Sequence, residues 1–297
     1  MIVEGESSLT DLVIKAMSED PDPRRREILA SLIRHAHAFA REVMLTEDEF
    51  ETGLEFLNRI GQTTNDMHNE AVLFADILGL STLVCLLNNG NAGATETSAA
   101  LLGPFWRMHS PETENGQSII IRSATKGEPL FVSGRIIDVH GKPIADAEVD
   151  VWQASPAGLY ESQDDEQPDM NLRGKFHTDA AGRFWFRSVK PKGYPVPTHG
   201  PAGDVLRAQQ RHPYRPAHLH FLAFKPGFKT LITQVFVDGD ERLESDVVFG
   251  VTRHLIGRFT FHENEPGPDP SVRSWYGLDY EFVMEAGDAK LPVPPIK

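Results

Sequence analysis

The chain changes its hydrophobic period near its middle. From 24 to 44, Ile28, Leu29, Leu32, Ile33, Ala36, Phe39, Ala40 and Val43 recur at three- and four-residue intervals, the stripe of an amphipathic helix. Thr46 with Glu49 three residues later forms a capping box for a second helix through Leu54, Leu57 and Ile60, and Gly61 sits where a helix stop belongs. A third apolar segment, EAVLFADILGLSTLVCLL (70–87), has helical length and runs into the breaker NNGNAG. The first hundred residues therefore predict mostly helix. Beyond about residue 127 the apolar runs shorten and alternate: LFVSGRIIDV, AEVDVW, GRFWFRSV, HLHFLAF, TLITQVFV and DYEFVM, separated by clusters of Gly, Pro, Asp and Asn. HGKPIADA (140–147) carries turn chemistry between the first two. Several short strands at such spacing predict an antiparallel β-sandwich. The proline-rich stretch from Pro191 to Pro216 predicts a long loop, too long for an idle connection, and PVPPI (292–296) predicts a tail. The fold expected is mainly β with an α-helical N-terminal part: a helical domain over 1–100 and a β-sandwich domain over 101–297.

Composition narrows the classes of function. With 297 residues, 40% of them hydrophobic, the chain can bury a proper core. A net charge of −14 works against nucleic-acid binding, which depends on clustered Lys and Arg, and the basic run Arg24, Arg25, Arg26 lies between acidic stretches. A single cysteine, Cys85, excludes an intrachain disulfide framework and fits a reducing compartment. The acidic start MIVEGESSL is unlike a secretory signal, and no apolar run approaches the roughly 20 residues of a membrane span. The expectation is a cytoplasmic protein without membrane insertion or nucleic-acid partner.

RPAHLHFLAF (215–224) then raises the question of chemistry. In a strand, residues two apart point the same way with Cα atoms roughly 6.5 to 7 Å apart, so His218 and His220 can converge on one object while Leu219 and Phe221 face the other side. A metal ion suits that spacing, although two strand histidines with ordinary hydrogen-bond partners would leave the same pattern. Companion motifs are missing: there is no Cys cluster and no His-Glu-x-x-His. A two-His-one-carboxylate iron(II) site would want an acid close by, and the next one after the pair is Asp238. Two of the five tyrosines stand in loop-like, Gly-bearing contexts, Tyr160 in PAGLYES and Tyr194 in PKGYPVP. A phenolate is a hard anionic donor that a hard trivalent iron would favour, and the metal charge would lower the phenol pKa below its usual value of about 10. A half-buried loop tyrosine bonded to backbone is the plainer alternative for each.

The segments LLGPFW (101–106), EVDVWQASPAGLYE, MNLRGKFHTDAAGRFWFRSVKPKGYPVP and HPYRPAHLHFLAFKPGFKTLITQVF together resemble the intradiol ring-cleavage dioxygenases, in the branch that holds the catechol and hydroxyquinol 1,2-dioxygenases. The resemblance covers nearly the whole chain and implies a prealbumin-like sandwich with a helical dimerisation domain. It implies Fe(III) held by Tyr160, Tyr194, His218 and His220, with the substrate displacing Tyr194, whose phenolate then takes a substrate proton. Arg215 matches an arginine that stabilises negative charge as dioxygen attacks, and Gln234 matches a pocket glutamine. Taken by themselves, these two would read as an ion-paired arginine and a plain strand glutamine. The resemblance further implies an aromatic diol and O2 as substrates, no organic cofactor, and a homodimer whose helices can enclose a phospholipid. The stripes at 28–43 and 54–60 are compatible with that interface and equally with an internal core.

Substrate-pocket positions implied by the resemblance fall on Leu73, Asp76, Leu102, Gly103, Pro104, Phe105, Val196, Pro197 and Val248. Asp76 lies within the apolar run VLFADILG, where an unpaired charge is costly, so it should meet a polar partner or a ligand; a capping or interdomain hydrogen bond would serve equally. The combination of Leu73, Asp76 and Phe105 is more similar to hydroxyquinol enzymes than to those for catechol or chlorocatechol. A rival of a different class remains: GRIIDVHGKPIADAEVDVW also resembles prealbumin-like adhesion or accessory modules, which need no metal ligands.

Overall fold

Helix α2 (Pro23–Glu42) starts where Asp22 accepts hydrogen bonds from the backbone N–H of Arg24 and Arg25, with Pro23 supplying the fixed φ of a first helical position. The computed structural model describes residues 2–89, 96–121 and 125–296. A further helix, α1 (Glu6–Ala16), precedes it where no element was expected; Glu6 in its first turn and Lys15 in its last suit the helix dipole. The two helices are joined by Thr10 with His37 at 3.0 Å and by an ion pair of Glu6 with Arg41. The capping box of α3 (Glu47–Thr63) forms: the Thr46 N–H donates to Glu49 Oε2 at 2.9 Å and the Glu49 N–H to Thr46 Oγ1 at 3.4 Å. Gly61 does not stop this helix, which continues to Thr63.

Residues up to Asn58 form one compact unit and residues from Arg59 onward a second. The first has no buried residue in α1 or α2, and the stripe residues Ile28, Leu32 and Phe39 are 51%, 60% and 56% exposed. The expected boundary at 100/101 differs from this division by packing. The reason lies in the third apolar segment, which forms α4 (Glu70–Ile77) and α5 (Leu80–Asn89), bent by 79° at a break containing Gly79 with φ 71°. Helix α4 buries Leu73 and Ile77 against Leu101, Val196, Leu206 and Val248, all in the second unit. Residues 90–93 of the NNGNAG breaker lie outside the described residues. Among the described residues no single helix is long and apolar enough to cross a membrane.

The remainder is a sandwich. Its strands are β1 (Pro129–Asp138), β2 (Glu148–Trp152), β3 (Arg173–His177), β4 (Arg183–Val189), β5 (Tyr194–Pro195), β6 (Tyr214–Arg215), β7 (His218–Phe224), β8 (Leu231–Val237), β9 (Ile256–Gly257), β10 (Thr260–His262) and β11 (Trp275–Met284). One sheet has the order β10-β11-β1-β4, the other β3-β2-β7-β8-β9, and β5 pairs with β6 alone. Pairing is antiparallel except for β1 with β11 and β8 with β9, which run parallel. Phe176, Phe184, Phe186, Phe221 and Phe282, each no more than 1% exposed, fill the space between the sheets. Leu219, Phe221 and Ala223 of β7 enter that core, so by the two-residue period His218, His220 and Leu222 face away from it.

Two loop expectations change. The proline-rich stretch contains α6 (Pro201–Ala208), begun by Pro201 at a first helical position. The PVPPI segment is fastened instead of trailing: the Lys290 N–H donates to Thr230 Oγ1 at 3.0 Å, and Ile296 is 3% exposed. Between β3 and β4, Gly182 has φ 74°, and a Cβ there would stand 2.4 Å from the backbone oxygen of Ile136. Gly182→Ala is therefore expected to lower unfolding free energy by about 2 kcal/mol or more, read as a shifted urea midpoint with unchanged slope.

Candidate metal centre

The face of β7 turned away from the core receives side chains from three neighbouring segments. Register sets His220 opposite Trp152 on one side and Gln234 on the other, and the Trp152 ring stacks on the His220 imidazole at 4.5 Å and 11°. The loop leaving β2 turns at Gly158, with φ 80°, and delivers Tyr160, whose N–H donates to Gln163 Oε1 at 3.1 Å. Pairing of β5 with β6 places Tyr194 opposite Arg215. Sheet register and two short loops thus bring together Trp152, Tyr160, Tyr194, Arg215, His220 and Gln234 from separate segments.

The four expected ligands converge in a buried space, each no more than 2% exposed. The two phenol oxygens of Tyr160 and Tyr194 are 3.4 Å apart, and the Nε2 atoms of His218 and His220 face each other at 3.1 Å. His218 Nδ1 donates to the Pro216 carbonyl at 2.7 Å, which fixes the tautomer and leaves the Nε2 lone pair directed at the group. Burial and then the Arg215 charge press the His218 pKa down to about 3; burial, His218 and Arg215 hold His220 well below its ordinary value. Both rings are therefore neutral and able to donate electron pairs. Burial, followed by the neighbouring phenol, keeps Tyr160 protonated in the metal-free protein, and burial does the same for Tyr194.

Two facing imidazole nitrogens and two phenol oxygens contain more electron-pair donors than protons available to bridge them, and one cation at their centre would satisfy the set. The donor chemistry fits a hard, trivalent iron: two anionic oxygens offset most of its charge and two borderline nitrogens complete four positions. Among the described residues no three His, Cys, Asp and Glu side chains converge, so the tyrosines are essential to this donor set.

Arg215 lies against the centre, its Nη1 3.3 Å from His218 Nε2. Burial alone would weaken this cation, but Asp246 and the two tyrosines more than offset it and raise its pKa above the ordinary value. Asp246 accepts from Nε and Nη2 at 3.1 and 3.0 Å, and Gln234 Oε1 accepts from Nη2 at 3.0 Å. Gln234 is itself held by donating to the Leu101 carbonyl at 2.6 Å. Sequence reasoning missed Asp246, which lies 31 residues from its partner in a strandless segment and carries no local signal. It also missed Arg173, which donates to Glu161 Oε1 at 2.7 Å and to the Phe105 carbonyl at 2.8 Å, clamping the segment beside Tyr160 to the one that bears Phe105.

The expected pocket residues fall into two groups. Phe105 stacks on Tyr160 at 4.5 Å, Leu102 packs beside it, and a Cβ on Gly103 would stand 3.3 Å from His220 Cε1. Leu73, Val196 and Val248 belong to a separate apolar cluster, while Pro104 and Pro197 are half-buried next to their chain neighbours in these groups. Asp76 is 3% exposed; burial raises its pKa to about 6 against the opposing pull of Ser81 and Arg215. Asp76, Leu102 and Gly103 line one side of a cavity of about 320 Å³.

The fold is a two-sheet sandwich that carries, on the face of β7 turned away from its core, a buried group of two phenols and two imidazoles. Residues 101–286 match the family model "Dioxygenase" and residues 22–96 "Catechol dioxygenase N terminus". Hydroxyquinol 1,2-dioxygenase of Rhizobium sp. is 42% identical over 284 residues, covering 94% of this chain and 95% of that one. Catechol 1,2-dioxygenase of Candida albicans is 39% identical over 278 residues, covering 93% and 91%. The crystal structure of hydroxyquinol 1,2-dioxygenase from Pseudomonas putida DLL-E4 superposes with a TM-score of 0.85 at 37% identity, covering 95% and 99%. The chain belongs to the intradiol ring-cleavage dioxygenase family, enzymes of aromatic catabolism that generally use non-haem Fe(III).

Removing Asp246 would strand the Arg215 charge in a dry site. Asp246→Ala is expected to cost about 3–5 kcal/mol in urea unfolding, and the Arg215→Met, Asp246→Ala double variant to recover a substantial part of it.

Proposed function

We propose that the protein opens the ring of hydroxyquinol, benzene-1,2,4-triol, between its two adjacent hydroxylated carbons, giving 3-hydroxy-cis,cis-muconate or its tautomer maleylacetate. The alternative substrate is catechol, giving cis,cis-muconate. The observation that carries the choice is the Asp76 carboxyl, buried in a cavity wall with Leu102 and Gly103, where a third ring hydroxyl would find an acceptor that catechol cannot use. Relatives named for hydroxyquinol support it; a relative of similar identity named for catechol keeps the alternative open.

In this reading Tyr160, Tyr194, His218 and His220 hold Fe(III). When bound, the ion would supply the positive charge that lowers the phenol pKa values and that makes an aromatic diol reactive toward O2. Tyr194 is the residue positioned to receive a substrate proton at Oη, since register sets it beside Arg215, whose charge favours an anionic oxygen. Arg215 stays a cation through Asp246 and stabilises negative charge that develops on the substrate, as a preorganised donor in a site from which water is excluded. Gln234 positions Arg215, and Phe105 and Trp152 wall the centre with rings.

The test is anaerobic titration of the iron-loaded protein with hydroxyquinol and catechol, then admission of O2 and identification of products. A broad visible charge-transfer band is expected and should be lost in Tyr160→Phe; a fully iron-loaded sample without the band would favour a non-enzymatic sandwich module. Hydroxyquinol should exceed catechol in kcat/KM by tenfold or more, and Asp76→Asn should compress that ratio; catechol preferred by tenfold would overturn the substrate reading alone. Asp76 also carries a pH signature. Its folded pKa of about 6 exceeds the unfolded value of about 3.9, so charging it costs the fold nothing below pH 4, progressively more up to pH 6, and about 3 kcal/mol above that. Asp76→Asn should raise unfolding stability at pH 7.5 and leave it unchanged at pH 3.5.

We infer further that the exposed stripe of the helical unit pairs with a second copy, Ile28, Leu32 and Phe39 being too apolar and too contiguous for a free helix face. Light scattering should give twice the chain mass, and Leu32→Asp with Phe39→Asp the single mass. A phospholipid held among the same helices would appear as excess mass in native spectra of the purified dimer.

A further inference from the structure

The 320 Å³ cavity beside the centre has two walls of unlike origin. One is the expected pocket: Asp76, Leu102 and Gly103, the last in contact range of the His220 ring. The other includes Val293, Pro294 and Pro295, from a segment that follows the last strand and that nothing about the strand or helix pattern connects with a site. We propose that this segment, residues 292–296, is the outer wall of the substrate pocket and sets the size of ring substituent the enzyme accepts. The proposal rests on the intradiol reading of the centre and adds to it a specificity element.

Three features suit the segment to that role. It is anchored at both ends: the Lys290 N–H donates to Thr230 Oγ1 at 3.0 Å, Asn69 Nδ2 donates to the Pro295 carbonyl at 3.5 Å, and Ile296 is buried at 3% exposure. Its three prolines, at 292, 294 and 295, restrict φ and so reduce the entropy lost in holding an otherwise irregular backbone in one place. Pro294 and Pro295, which line the cavity, also lack N–H groups, so of the three lining residues only Val293 carries a backbone donor. A diol bound at the centre would meet a carboxyl on the Asp76 side and an apolar, stiff surface on the other. A polar substituent is recognised on the first side; bulk is limited by the second. Val293, 87% exposed, marks the rim where the cavity opens to solvent.

Ile296 is the side chain whose loss should release the wall without touching the centre. Three proteins are compared: the full chain, Ile296→Asp, and a chain shortened after Leu291. For each, kcat/KM is measured with catechol and with 4-tert-butylcatechol, and the visible band is recorded to verify the iron centre. Independently of iron, trypsin cleavage after Lys290 is followed by mass spectrometry in the metal-free proteins. Expected are a rise of at least fivefold in the ratio of 4-tert-butylcatechol to catechol in both variants, and faster release of residues 291–297 from Ile296→Asp than from the full chain. An unchanged substrate ratio in a variant that keeps its visible band overturns the proposal, and so does tryptic release as fast from the full chain as from Ile296→Asp. Should the shortened chain fail to fold, Ile296→Asp alone decides. Failure of the iron-loaded full chain to cleave any diol would overturn the intradiol reading itself, a result distinct from an unchanged ratio.

Discussion

The constraint on which the centre depends is the cost of keeping a guanidinium charge in a dry space next to two neutral imidazoles. Arg215 is 3% exposed, and in such surroundings an unpaired cation would be intolerable. Asp246 answers it with two hydrogen bonds, Gln234 with a third, and Leu101 holds Gln234 in turn. This network has consequences in both directions. It keeps a cation beside Tyr194 and His218, and the Arg215 charge, together with burial, helps hold both histidines neutral. A lysine at 215 could not make the bidentate pair with Asp246 and also reach Gln234.

The sandwich explains how such a network can be assembled from remote positions. β7 is buried on both faces, so its alternation divides one strand between two duties: Leu219, Phe221 and Ala223 secure the sheets to each other, while His218 and His220 are offered to the site. A one-residue slip in its pairing with β2 or β8 would exchange the two sets and bury imidazoles among phenylalanines. Stability of the core and placement of the ligands are therefore one requirement. The tyrosines, by contrast, come from loops and need local devices: the Gly158 turn and the Arg173–Glu161 clamp for Tyr160, the two-residue pairing of β5 with β6 for Tyr194.

Much of this was legible in the residues, and the gaps have physical causes. Period-2 runs located the principal strands because those elements bury a face over many residues, and period-3.6 stripes located α2 and α3, whose apolar faces stay largely exposed. Helix α1 carries Leu9, Leu12, Val13 and Ala16 at helical spacing, but it is only 11 residues long and starts after Gly5 without a side-chain cap. The division between α4 and α5 was masked by continuous apolarity around Gly79, and α6 by the surrounding prolines, although Pro201 is a good first helical residue. Strands of two residues, such as β5 and β6, exist only through their partners. In the site, alternation put the two histidines on one face, but the pair, the tyrosines and Arg215 alike became specific only through the family resemblance. Asp246 and Arg173 had no signal of their own, because a buried charge is recognisable only once its partner's position in space is known.

Gly103 joins the charge network to the question of substrate. Its backbone, at φ 74°, lies in the left-handed region, and the ring of His220 occupies the space that a Cβ would need relaxed. The glycine lets the 101–105 segment pass directly over the imidazole, so that the Leu101 carbonyl can hold Gln234 while Leu102 and Gly103 face the cavity. One short segment thereby ties the residue that holds Arg215 to the lining of that cavity. Any side chain at 103 would move that surface outward from His220 and change the electrostatic partner and the pocket shape together. In this fold the Gln234–Arg215 network and the lining of the 320 Å³ cavity are coupled through the backbone of one segment.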